Sequence, residues 1–175
     1  MVAGRRSRDP QSLIPPLSFM AWLMLRTGRE REANELLDEL VPAVMRSPEE
    51  NSAETQLALF TLGRQTDLLR LVDATAPTRW REILALIAAD NLQAAADLYD
   101  ELGMLADAAL VRMHAAKRHI AAGRNDAARQ QLSRALVFWR SVGATHFIQE
   151  ADALAEELET ATPDSTLDSA KTPSR

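Results

Sequence analysis

The chain of 175 residues contains no cysteine, which excludes disulfides, thiolate metal sites and thiol nucleophiles together. Glycine is scarce at 6 residues and aromatic residues reach only 5%. That scarcity, beside abundant alanine and leucine, disfavours sheet and favours helix. No Gly-x-x-x-x-Gly-Lys-Ser/Thr stretch occurs, so a phosphate-binding ATPase loop is excluded. No long hydrophobic run occurs either. The longest apolar stretch, Leu13 to Leu25, is interrupted by Pro15 and Pro16 and is too short to span a bilayer. Arg5, Arg6 and Arg8 before it give a superficial likeness to an export signal, but no small-residue cleavage site follows and Arg26 ends the run. The balance favours a basic tail leading into a helix of a cytoplasmic protein. Net charge is -5, which sets nucleic acid back as a partner of the whole chain.

What the sequence does contain is helical periodicity. From Gly103 to Gly143, Leu105, Ala109, Met113, Ala116 and Ile120 recur at three- and four-residue steps. After Ala121–Asn125, the residues Ala128, Leu132, Ala135, Leu136, Trp139 and Val142 do the same. Each set forms one apolar stripe, and the five-residue break forces the two helices back into an antiparallel hairpin. Gly123 suits the left-handed closing residue, while Asn125 or Asp126 suits the cap of the second helix. Alanines at 108, 109, 115, 116, 127, 128 and 135 allow a close approach.

The remaining segments follow the same plan. A helix is expected from Ser12, with Pro15 and Pro16 in its first turn, closed by Gly28. Its return helix runs from Arg29 to Val41, with Ala33, Leu36, Leu37, Leu40 and Val41 inward and Pro42 kinking or ending it. Ser52 to Leu62 comes next, then Thr66 to Asp73 with Leu68, Leu69, Leu71 and Val72 buried nearly all round. A helix capped by Thr78 carries Trp80, Ile83, Leu84 and Ile87, and Leu92 to Leu102 returns from it. A last helix from Ala144 to about Glu159 places Phe147, Ala151, Leu154, Ala155 and Leu158 inward. The domain therefore spans 12–159, between a disordered basic tail at 1–11 and a disordered tail at 160–175. Turns at Gly28-Arg29, Gly63-Arg64, Asp90-Asn91 and Gly123-Arg124 recur with a period near 34 residues, the layout of tetratricopeptide repeats. The fold expected is all-α: about nine helices in stacked antiparallel hairpins, a right-handed α-solenoid.

Particular strings carry a further resemblance. They are L-x-x-GR-x-x-EA-x-x-LLDEL at 25–40, LF-x-LGR at 59–64, APTRW at 76–80 and AAADLYDELG at 94–103. The most specific is LSRALVFWRSVGATHFIQEADAL at 132–154. Over residues 9–158 the chain resembles the C-terminal tetratricopeptide-like region of large actinobacterial signalling proteins. Those proteins join a class III adenylate/guanylate cyclase domain, or a DNA-binding regulator domain, to an ATPase and then to helical repeats. The resemblance implies a regulatory, protein-binding tail, either free-standing or the remnant of a larger gene product.

No residue pattern points to catalysis, to a cofactor or to a metal. His114 and His119 are five apart and diverge on a helix, and His146 suits a turn. Glu49-Glu50 and Glu156-Glu157 are adjacent pairs, which also diverge. Ser133 and Ser141 have no activating partner in view. Arg112, Lys117, Arg118, Arg124, Arg129, Arg134 and Arg140 are expected to make the 103–143 hairpin basic outside. We single out Arg112, Arg118, Arg124 and Arg129 as a candidate partner surface, with a solvated face paired to Asp107, Asp126 and Glu150 as the plainer reading. Trp22, Trp80 and Trp139 read as packing residues. The first helix nevertheless carries more apolar side chains than one neighbour covers. Phe19, Trp22 and Leu23 are therefore expected to be partly exposed, for self-association or an upstream partner. The function expected is a non-catalytic scaffold for protein–protein interaction through the repeat groove or this N-terminal face. A nucleic-acid-binding regulator and an unrecognised enzyme are the alternatives.

Overall fold

The structure, a computed structural model, describes residues 10–160; of the ends expected to be disordered, 1–11 and 160–175, residues 1–9 and 161–175 lie outside the described residues, while Pro10, Gln11 and Thr160 belong to helices. The described residues form nine α-helices and one 3-10 turn, with no strand. In order these are α1 Pro10–Arg26, α2 Glu30–Arg46, the 3-10 turn Pro48–Glu50, α3 Ala53–Thr61, α4 Gln65–Ala74, and α5 Arg79–Ala88. Then follow α6 Leu92–Glu101, α7 Leu105–Ala121, α8 Asn125–Ser141 and α9 Thr145–Thr160. The all-α expectation is met.

Six of the eight junctions close identically. Gly28, Gly63, Asp90, Gly103, Gly123 and Gly143 all have φ between 57° and 75°. At each, the next residue's N–H reaches back five residues to a helix carbonyl, as Arg64 does to Leu59 at 2.9 Å and Arg124 to His119 at 2.9 Å. This closure satisfies carbonyls that the helix end leaves orphaned, and it needs a left-handed residue at its pivot. Asp90 is the exception in residue type, since a side chain there carries a steric cost that glycine avoids.

Helices pack chiefly on their chain neighbours and on the next helix but one, the contact pattern of stacked hairpins. The α7–α8 pair is the most extensive, and the two helices bury Ala108, Ala109, Ala115, Ala116, Ala128 and Ala135 between them and their other neighbours. Small side chains there let the two backbones approach. One apolar cluster joins α1 and α2 to α3, α4 and α5 around Ile14, Leu37, Leu40, Leu59 and Leu84. A second runs through α5 to α9 and takes in Trp22 from α1. A buried hydroxyl relay ties α1 to α3: Thr55 donates to Ser18 at 2.8 Å, and Ser18 donates to the Ile14 carbonyl at 2.8 Å.

Several expectations are corrected. The first helix starts at Pro10, so Pro15 and Pro16 lie inside it, both on its exposed side. Pro42 does not end α2. It stands on the exposed side, as does Asp38, whose carbonyl it leaves unserved, while buried Ala43 and Val44 hold the last turn in place. Leu69 is exposed because α4 is covered on one face only. Leu105 and Val142 are exposed at helix ends, beyond the reach of a neighbouring helix. Trp80, expected in the core, is 47% exposed.

Candidate partner-binding cleft

The last helix returns to the first. On α1, Trp22 faces Phe147 of α9, with ring centroids 6.1 Å apart, and Phe147 stacks on Trp139 of α8 at 4.2 Å. The Arg26 guanidinium lies 4.8 Å from the Trp22 ring and 5.0 Å from the Phe147 ring. It donates to Glu150 at 2.6 Å and to His146 Nε2 at 2.6 Å. Lys117 on α7 reaches the other Glu150 oxygen at 2.7 Å. Burial works against the charged form of Glu150, but Lys117 and Arg26 outweigh it and hold the carboxyl below its ordinary range.

Against this junction opens a cleft of about 650 Å³, walled by α1, α3, the start of α4, the end of α5 and α7. Trp22, Leu25, Leu57 and Phe60 make its apolar floor, and Arg26, Lys117 and Arg118 bring three cations to its edge. Arg118 pairs with Asp90 and lies 5.7 Å from the Phe60 ring. The left-handed Asp90 thus turns the chain and also neutralises one cation of the cleft.

His114 lines the same cleft from α7. Burial first, then the positive charges of Lys117 and Arg26 against the opposing Glu150, push its pKa down from 6.5 to about 4. The unfolded chain therefore takes up a proton at a higher pH than the folded chain. Stability supplied by neutral His114 is intact above 6.5 and falls as pH drops towards 4, by up to about 3 kcal/mol. His119, pushed the same way by burial and by Arg124, adds to the slope, so the difference between proteins isolates His114. Urea unfolding across this window should show a clearly flatter pH dependence for His114→Gln. An unchanged slope would show that the imidazole is hydrated in the folded chain.

The four arginines singled out from sequence do not form one surface. Arg112 is only 2% exposed: its guanidinium turns inward to Asp97 and Asp100 on α6 and to Gln131 on α8. Arg118 and Arg124 line a common hollow beside the main cleft, where Arg124 donates to His119 Nδ1 at 2.9 Å. Arg129 sits apart, bonded to Asp126 and to the Leu158 carbonyl of α9. Of the hairpin's other cations, Arg134 pairs with Asp97 and Asp100, and Arg140 with Asp152. The basic hairpin exterior is thus paired, as the plainer reading had it, with Asp126 and Glu150 among the partners, although Asp107 is not one of them.

The N-terminal face divides in the same way. Phe19 and Leu23 are 51% and 40% exposed, as expected, whereas Trp22 is buried against Phe147. Of the cleft residues, Arg26 and Phe60 were not among the sequence candidates, and Lys117 was named only within the basic hairpin exterior. Their signal was available in the three- and four-residue steps Trp22–Arg26, Leu57–Phe60 and His114–Lys117, which put each pair on one side of its helix. Among the described residues, no group of three or more His, Asp or Glu is placed to hold a metal, and no helix is long and apolar enough to cross a membrane. Compared with family models, with curated proteins and with solved structures, the chain finds no match in any of the three.

Proposed function

We propose that this chain is a non-catalytic helical-repeat scaffold that holds a segment of another protein in the cleft between α1, α3, α5 and α7. The observation that carries the reading is the composition of that cleft. A chain of net charge -5 gathers Arg26, Lys117 and Arg118 around an apolar floor of Trp22, Leu57 and Phe60. Such a floor takes apolar anchors spaced along one face of a segment, and such an edge selects carboxylates beside them. The polar groups of the cleft are engaged with one another, Arg26 and Lys117 with Glu150 and Arg118 with Asp90, which suits holding more than turnover. The resemblance of residues 9–158 to the repeat tails of cyclase- and ATPase-bearing signalling proteins supports a regulatory module, detached or part of a larger chain. A cysteine-free sequence suits a reducing cytoplasm.

The test is binding of a synthetic peptide with leucines at helical spacing and glutamates between them, followed by fluorescence anisotropy. It should bind in a salt-sensitive way, and Lys117→Gln/Arg118→Gln should weaken it by about tenfold, from loss of charge complementarity. The same peptide with lysines for glutamates should bind far more weakly. Equal binding of the two peptides, or indifference to the double substitution, would overturn the proposal.

A further inference from the structure

A second cleft, of about 500 Å³, opens at the opposite ends of α3 and α5. Its walls are the Pro48–Glu50 turn, the start of α3, the Ala74–Thr78 linker, the start of α5 and the α6–α7 junction. Nothing in the reading of the first cleft uses it, and its chemistry is of the opposite sign.

Trp80, the half-exposed tryptophan that the core does not take, forms one wall, 6.4 Å from the ring of buried Tyr99. Leu84 and half-exposed Met104 extend that apolar wall. The charged lining consists of Glu49 and Asp107, with no lysine or arginine among the lining residues. Elsewhere carboxylates are commonly matched by arginines, as at Asp38, Asp67, Asp90, Asp97, Asp100 and Glu150. Glu49 and Asp107 have no ion-pair partner among the described residues. Asn51 Oδ1, sealed from solvent on the same lining, has no donor. Burial, and then the charge of nearby Glu54, push the Asp107 carboxyl above its ordinary range, the mark of an anion short of a counter-charge.

The local field has a competing contribution. Helices α3, α5 and α7 all begin at this cleft, and each N-terminus carries roughly +0.5 of an elementary charge. Three such ends fall short of the three full negative charges of Glu49, Glu54 and Asp107, so the site remains negative. An aromatic and thioether wall beside unpaired carboxylates is the environment an organic cation prefers, because the rings attract the charge and the carboxylates take its N–H groups.

We propose that this cleft binds a small organic cation, a primary amine or guanidinium carried on an apolar body, with the body against Trp80 and the charge on Asp107 and Glu49. The probe is phenethylammonium, titrated into the full chain by calorimetry, with 2-phenylethanol as the neutral counterpart and 3-phenylpropionate as the anionic one. Phenethylammonium should bind at least about tenfold more tightly than phenylethanol, and phenylpropionate should show no binding. Asp107→Asn should weaken phenethylammonium by about tenfold while leaving the unfolding midpoint unchanged or raised, because it removes a poorly solvated charge. Trp80→Ala, at a half-exposed position, should weaken amine and alcohol alike. Equal binding of amine and alcohol, no binding of the amine at millimolar concentration, or full affinity in a folded Asp107→Asn protein would each overturn the assignment. The glutamate–leucine peptide of the first cleft is the control: its binding should be the same with and without saturating phenethylammonium, which separates the fate of this site from that of the other.

Discussion

Replacing Arg112 with alanine is expected to cost about 3 kcal/mol of folding stability, the low end of what removing one member of a buried ion pair costs. Its guanidinium is sealed between three helices, donating to Asp97 at 2.6 Å, to Asp100, and to Gln131 Oε1 at 2.9 Å. Arg134 meets the same two carboxylates from α8, at 2.7 Å and 3.0 Å, so two arginines and two aspartates stitch α6, α7 and α8 together. Burial raises the free energy of the Asp97 anion, but the hydrogen bond and charge of Arg112, with those of Arg134, hold its carboxyl below the ordinary range.

After truncation, Asp97 and Asp100 keep Arg134 and their access to water, which limits the loss. Fully buried Gln131 does not escape. Its Nε2 is already without a partner, and its Oε1 then loses the Arg112 donor as well. Arg112→Met, which fills most of the space, should therefore cost less than alanine, and Arg112→Met/Gln131→Leu should recover most of the remainder. Urea unfolding at constant m-value measures all three. A loss below about 1 kcal/mol for Arg112→Ala would show that Arg134 alone holds the junction.

Arg112 also marks where the sequence was legible and where it was not. Helix existence was written in the stripes and in the glycines, since only a left-handed residue closes this turn and five of the six glycines stand at such a pivot. Asp90 was readable as a turn from Asp90-Asn91, although its pairing with Arg118 was not. Facing was read well in the interior of long helices, as at Ala33, Leu36, Leu37, Leu40 and Val41. It was read poorly at helix ends and on α4, because periodicity gives the direction of a side chain but not whether a neighbour stands there. An arginine in a helical pattern reads as solvated by default. What reverses that for Arg112 is the arrival of Asp97, Asp100 and Gln131 from two other helices, and no spacing within α7 announces it. The clefts were hidden for the same reason: each is assembled from the ends of several helices. The return of α9 to α1 was equally invisible, and it is what buries Trp22 while leaving Phe19 and Leu23 in water.

That return rests on a ring stack whose centre is Trp139, and Trp139→Ala is expected to cost about 3–5 kcal/mol. The indole is 6% exposed, stacked on Phe147 with planes 11° apart and set edge-on to Phe138 at 4.9 Å. Phe147 in turn meets Trp22 and the Arg26 guanidinium, so the substitution removes the support of the α1–α9 contact as well as core area. Two features keep the prediction specific to stacking. The buried Trp139 Nε1 has no hydrogen-bond partner, so Trp139→Phe loses some area but relieves an unserved donor, and should cost below about 1.5 kcal/mol. Trp139→Ala and Phe147→Ala should also be less than additive, by about 0.5–1.5 kcal/mol, the coupling expected of two stacked rings. Denaturant unfolding of the four proteins completes the cycle. Hydrogen exchange should show amides near the end of α1 losing protection in Trp139→Ala, because Phe147 no longer holds Trp22. Additive losses, with the end of α1 still protected, would mean that the first helix stays in place without the stack.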